Sequence, residues 1–96
     1  MFQILPNNKY RLSECFKRYF AWVEADGLLS KNSVEKYKEI SQRLIAILKD
    51  MDVRKIDGHT ITELKQHLNS KELSASRKNH YLVVAKNLLK YLAEEE

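Results

Sequence analysis

Four stretches of the sequence place apolar residues at steps of three and four, the spacing of one face of an α-helix. They cover residues 15–23, 34–48, 61–68 and 81–92. Only two Gly and one Pro occur in the 96 residues, too few for the tight turns that join many short strands. The sequence therefore predicts an all-α fold, a small bundle of four helices with short connections.

Capping residues predict where three of these helices begin or end. Helix 1 covers about residues 13–25, and Gly27 can adopt the left-handed conformation that follows a helix end. Ser30 and Ser74 precede helices 2 and 4. A serine hydroxyl there can accept a hydrogen bond from a free backbone N–H of the first turn. We therefore expect both serines to be N-caps.

The middle of the chain predicts a link and a short third helix. Helix 2 is expected to end near Asp50, and residues 51–58 form an irregular connection. Thr60 and Glu63 have the spacing of a capping box, which predicts the start of helix 3. At the other end of the chain, residues 1–11 are expected to form an N-terminal arm before a single domain of residues 12–96.

The charge balance favours a polyanionic partner. The chain has 17 Lys and Arg against 13 Asp and Glu, a formal net charge of +4. Because the last three residues are Glu, the rest of the chain carries 17 basic residues against 10 acidic ones, or +7. No apolar run approaches the roughly 20 residues of a membrane span. Cys15 is alone and lies on an apolar helix face, so we expect it to be buried in a cytoplasmic protein.

Residue patterns that carry catalysis or hold cofactors are missing from the sequence. His59, His67 and His80 do not have metal-ligand spacing with one another or with Cys15, so no metal is expected. Two Gly cannot build a phosphate-binding loop, and no Gly-x-Ser-x-Gly motif occurs. We therefore expect no catalytic residues, no cofactor, no small-molecule substrate and no membrane partner.

The first turns of helices 2 and 4 are the best candidates for binding double-stranded DNA. Free N–H groups and the positive end of the helix dipole attract phosphate. Lys and Ser contact backbone oxygens, and Arg and Asn can bond the edges of guanine and adenine. The candidate DNA-binding residues are Lys31, Asn32, Ser33, Lys36, Ser76, Arg77, Asn79, His80 and Lys86.

Purely structural interpretations of the same features remain open. Lys36 and Lys86 can equally be solvated surface, and Tyr37 and Tyr81 lie on apolar stripes that favour the core. Trp22 is expected to be partly buried. The alternative function is a protein-interaction or accessory domain that uses a face formed by Trp22, Phe16 and Phe20.

Four motifs carry a resemblance to a known family. They are the aromatic-rich first helix after Leu12-Ser13, the entry to helix 2 at residues 28–33 with Tyr37, the step Ile56-Asp57 into helix 3, and residues 73–82 with 88–92 in helix 4. In this order and spacing they resemble the core-binding domain of phage-integrase-type tyrosine recombinases, over about residues 12–92. Arg77 stands where this family more often has Thr, and Lys78 where an apolar residue is frequent.

The resemblance implies a SAM-like orthogonal four-helix domain that forms one jaw of a clamp around DNA at a recombination core site. Helices 2 and 4 would lie at the major groove, and neighbouring recombinase protomers would be further partners. The positions carried over from the family are Asn32, Ser33, Lys36, Ser76, Asn79 and His80, while Lys31, Arg77 and Lys86 are added on charge and position.

The family's catalytic domain is expected to be absent from this chain. No His is followed by Arg at the His-x-x-Arg spacing of that domain. Tyr91 lies on the core side of helix 4, so it is not expected to be the nucleophile. The implied setting is the cytoplasm of a bacterium or archaeon, or a phage-encoded protein.

Overall fold

The structure, a computed structural model, describes residues 8–95, and the expected N-terminal arm therefore lies largely outside the described residues. Within residues 8–95 the helices are α1 Leu12–Asp26, α2 Lys31–Ile47, α3 Gly58–Asn69 and α4 Ala75–Glu95. Two short 3-10 turns, Asn8–Tyr10 and Val53–Lys55, precede α1 and α3. Between residues 8 and 95 no strand forms, and a single bridge pairs Arg11 with Asp52. The all-α, four-helix prediction is confirmed.

One apolar core holds the four helices together. Helix α2 packs against both α1 and α4, and α1 also packs against α4. Each helix contributes the apolar stripe that its spacing predicted, because residues three and four apart lie on the same side of a helix. Cys15 has no exposed surface and Tyr81 is 3% exposed, as predicted, whereas Tyr37 is only partly buried against the core. The most enclosed side chains are Val23, Ile40, Leu44, Leu64, Val84 and Leu88.

Gly27 ends α1 as expected. Its φ of 64° is left-handed, a conformation that glycine adopts without the steric cost of a Cβ. The N–H of Leu28 donates to the carbonyl of Val23 and the N–H of Gly27 to that of Glu24. These two bonds satisfy carbonyls that the helix end would otherwise leave unpaired.

The N-terminus of α1 is capped from a distant part of the chain. Arg11 occupies the N-cap position, but its side chain does not cap the helix. Instead, the backbone N–H of Ser13 donates to Asp50 Oδ1 at 2.7 Å, and the Ser13 hydroxyl donates to Asp50 Oδ2 at 2.9 Å. The N–H of Leu12 donates to the Met51 carbonyl at 3.0 Å. The turn after α2 thus satisfies the first free donors of α1.

The capping box of α3 begins three residues before the predicted one. Asp57 Oδ1 accepts from the Thr60 N–H at 3.0 Å, and Thr60 Oγ1 accepts from the Asp57 N–H at 3.4 Å. Thr60 is therefore inside the helix, and the prediction that it is the cap is wrong. Glu63 pairs with His59 instead. An aspartate at position 57 is as good a cap as a threonine three residues later, and starting there adds a further turn to the helix.

Within the described residues, no helix has the combination of length and apolar character that crossing a bilayer requires.

Two substitutions of Asp50 separate the effect of its capping carboxylate from the effect of its left-handed backbone conformation. Asp50→Ala removes the carboxylate that caps α1 and keeps the Cβ, so it should lower the free energy of unfolding by about 1–2 kcal/mol. Asp50→Gly also removes the Cβ, which the left-handed φ of 50° disfavours, so it should cost about 1 kcal/mol less than Asp50→Ala. Urea unfolding followed by circular dichroism measures both. Asp26→Ala, exposed at the other end of α1, is the control, and an Asp50→Ala variant as stable as the parent would contradict the capping role.

Stability should also fall in acid through Asp52. Hydrogen bonds from the Arg54 side chain and backbone lower the pKa of Asp52 from 3.8 to about 2. A carboxyl group whose pKa is lower in the folded than in the unfolded protein stabilises the fold at any pH above the unfolded pKa. That stabilisation is lost as the pH falls from 3.8 towards about 2. Asp52→Asn should flatten the dependence of the free energy of unfolding on pH in that window. Urea titrations at a series of pH values check this, and an unchanged slope would argue against the assignment.

Candidate nucleic-acid interface

Ser30 builds the first turn of α2. Its Oγ accepts a hydrogen bond from the Ser33 N–H at 3.2 Å and donates to Ser33 Oγ at 3.0 Å. The predicted N-cap is confirmed, and the half-buried Ser33 is tied into it. Lys31, Asn32 and Lys36 are exposed. The first turn of α2 therefore presents Lys31 and Asn32 to solvent, with Lys36 one turn further on, while Ser33 holds the first turn together.

Ser74 builds the first turn of α4 in the same way. Its Oγ accepts from the Arg77 N–H at 3.1 Å, so the second predicted cap is also confirmed. The α4 candidates then divide by exposure: Arg77 and His80 are half-buried, and Ser76, Asn79 and Lys86 are exposed.

The two helices meet through charged side chains. Arg77 Nη2 lies 3.5 Å from Glu39 Oε1, and Arg43 Nη2 lies 3.0 Å from the same oxygen. The start of α4 is therefore placed against the middle of α2. Along α2, Asn32, Lys36, Glu39 and Arg43 follow one another at steps of four, three and four, so they share one helix face. Arg77 thus joins the face of α2 that carries Asn32 and Lys36.

The exposed candidates on α4 form a second row. Ser76, Asn79 and Lys86 lie on the side of the helix opposite the buried Tyr81 and Leu88, as 3.6 residues per turn requires. Within residues 8–95, Arg77 is the only candidate on α4 with a described contact to α2. Arg77 lies on the side of α4 that meets α2, whereas Ser76, Asn79 and Lys86 lie on other sides of that helix. The predicted residues therefore do not form one row, and Lys31 also lies on a different side of α2 from Lys36.

Arg43 and Glu39 belong to this surface and were not among the predicted residues. The nearby Tyr81 hydroxyl and the Glu39 carboxylate raise the pKa of Arg43, and an arginine is in any case a permanent cation. Their i,i+4 spacing on the polar face of helix 2 could have indicated a pair. Their contact with Arg77 depends on how α2 and α4 pack, which local spacing does not reveal.

The aromatic face proposed as the alternative interface is largely core. Phe16 is 2% exposed and Phe20 is 5% exposed, so neither can contribute to a surface, because their helix stripe faces α2 and α4. Trp22 is partly buried, as predicted, with its ring 5.1 Å from that of Tyr91. Tyr91 is itself buried, on the core side of α4 as expected.

The described residues contain no group of three or more His, Cys, Asp and Glu side chains that could hold a metal ion. The charged groups of the candidate surface are the Lys and Arg side chains and the Glu35 and Glu39 carboxylates. Such a surface can bind anions by charge and by hydrogen bonds.

No family model, no curated protein and no solved structure matches this chain. Its function can therefore be inferred only from the chemistry of its own residues and from the motifs that they form.

Removing the cap of α2 or of α4 should weaken the fold by similar amounts. Ser30→Ala and Ser74→Ala each leave a first-turn N–H without its side-chain acceptor and should lower the free energy of unfolding by about 1 kcal/mol. Ser76→Ala is the matched control, since Ser76 is exposed and has no described hydrogen bond. It should change stability by less than about 0.5 kcal/mol. Urea unfolding measures the free energy of unfolding of each variant. Equal losses in all three variants would contradict the assignment of Ser30 and Ser74 as caps.

Proposed function

We propose that this chain is a DNA-binding module that contacts duplex DNA with the first turns of α2 and α4. The observation that carries the proposal is the position of Arg77 against Glu39 and Arg43. Because of it, the polar, capped start of α4 lies against the face of α2 that carries Asn32 and Lys36. A continuous surface is needed to contact several phosphates of one duplex at once.

The exposed cations suit the DNA backbone. Lys36 and Lys86 are exposed and have no described partner within residues 8–95, so they can contact phosphate without breaking an interaction. The first backbone N–H groups of each helix and the positive dipole end add to this attraction. Such contacts position a protein on DNA and make its affinity depend on salt.

The exposed amides suit the base edges. Asn32 lies in the first turn of α2 and Asn79 directly after the first turn of α4, and both are exposed. An Asn side chain can bond both N6 and N7 of adenine in the major groove, which is wide enough for a helix. We assign to these two residues the reading of sequence, and to the neighbouring lysines the backbone contacts.

The motifs of residues 12–92 support a more specific role. They resemble the core-binding domain of phage-integrase-type tyrosine recombinases, which implies a SAM-like orthogonal arrangement of the helices. In that role the chain is cytoplasmic and forms one jaw of a clamp on a recombination core site, with neighbouring protomers as further partners. It contributes binding and no catalytic group, and it needs no cofactor.

The proposal is tested by fluorescence anisotropy with a labelled duplex at two salt concentrations. We expect weak binding at low salt that falls steeply as salt is raised, because cations are released from each neutralised phosphate. No binding at low salt, or binding that does not change with salt, would overturn the proposal.

A charge-matched pair of double variants tests the surface itself. Lys36→Ala with Lys86→Ala should weaken binding about tenfold and reduce the slope of log affinity against log salt by about 2. Lys55→Ala with Lys65→Ala removes the same charge from exposed positions outside the two first turns, and it should change affinity by less than about twofold. Equal effects of the two double variants would show that binding does not use this surface. Unchanged melting curves confirm that all variants are folded.

A further inference from the structure

Two arginines share one carboxylate oxygen at the contact between α2 and α4. Arg43 Nη2 and Arg77 Nη2 both approach Glu39 Oε1, at 3.0 and 3.5 Å. Each guanidinium has five N–H donors, and each uses one nitrogen in this contact. Two cations and one anion leave a local charge of +1. The cluster therefore has more donors and more positive charge than Glu39 can satisfy.

Arg43 lies beside the core side of α4. The nearby Tyr81 hydroxyl raises the pKa of Arg43, and Tyr81 is only 3% exposed. Both side chains line the same groove. The Arg43 guanidinium therefore lies beside α4 as well as beside Glu39.

We propose that Arg43 and Arg77 form a binding site for one backbone phosphate of duplex DNA, and that the Glu39 carboxylate takes the place of this phosphate in the free protein. The inference rests on the proposed function and deepens it, since it names a contact on the same surface and the group that competes for it. Arg43 then becomes a DNA-contacting residue that the helix-start motifs did not include.

The exchange of carboxylate for phosphate is physically favourable. Carboxylate and phosphate oxygens accept the same forked hydrogen bonds from guanidinium groups, so the arginines can keep their positions. Glu39 is 57% exposed and Arg77 is 41% exposed. Ion pairs at such exposure contribute little to stability, and Glu39 can turn into water when a phosphate arrives. Glu39 therefore lowers the affinity for DNA without being essential for the fold.

Glu39→Gln tests the competition directly. In the anisotropy assay at low salt it should tighten binding about fivefold, because both arginines lose their anion while the side chain keeps its shape. Glu63→Gln is the matched control, since Glu63 is 62% exposed on α3 and its carboxylate also contacts a neighbouring side chain, His59. It should change affinity by less than about twofold.

A double-mutant cycle separates a shared site from simple repulsion between Glu39 and DNA. Arg43→Gln should weaken binding more in the Glu39→Gln background than in the parent. In the parent the Glu39 carboxylate competes with phosphate for the Arg43 guanidinium, so Arg43 contributes less to DNA binding there. If Arg43→Gln has the same effect in both backgrounds, or Glu39→Gln binds no better than the Glu63→Gln control, the phosphate site is refuted. The proposed function then still stands if the parent binds DNA with salt dependence. If the parent does not bind duplex DNA at all, both proposals fail.

Discussion

The carboxylate of Asp50 joins the turn after α2 to the N-terminus of α1. It accepts hydrogen bonds from both the backbone N–H and the hydroxyl of Ser13, which lies 37 residues earlier in the chain. Because Arg11 gives α1 no side-chain cap, this contact and the bond from Leu12 to Met51 supply acceptors for the first donors of the helix. They also fix the position of α1 relative to the turn after α2. The buried face of α1 depends on that position, since it fills the space between α2 and α4.

The packing of α2 on α4 gives the candidate surface its geometry. Ile40 and Leu44 on α2 and Val84 and Leu88 on α4 are almost fully enclosed, and well-packed interiors allow little relative movement. On the outer side of the same contact, this rigidity holds Arg77 beside Glu39. The core therefore determines which charged groups meet at the surface, even though the charged pairs themselves add little stability.

Local sequence signals were sufficient for the helices and for most of their ends. Ser30, Ser74 and Gly27 act within a few residues of themselves, so their roles followed from spacing alone. The start of α3 was mispredicted because Asp57 and Thr60 are both acceptable caps, and only the added turn favours Asp57. The Asp50 cap and the contact of Glu39 with Arg77 join distant segments, and no periodicity encodes such contacts. The aromatic stripe of Phe16 and Phe20 was ambiguous for another reason, because an apolar helix face has the same spacing whether it meets the core or a partner protein.

The candidate residues differ in what their substitution can reveal. Lys36, Asn79 and Lys86 are exposed and have no described partner within residues 8–95, so changing them removes a possible contact with DNA and nothing that holds the fold. Ser33 is different because it completes the α2 cap, and a loss of binding there would mix binding with stability. Arg77 is different again, because removing it also breaks its contact with Glu39 and leaves Glu39 paired with Arg43 alone. The exposed lysines and amides therefore report on recognition alone, whereas the residues that join the two helices report on recognition and structure together.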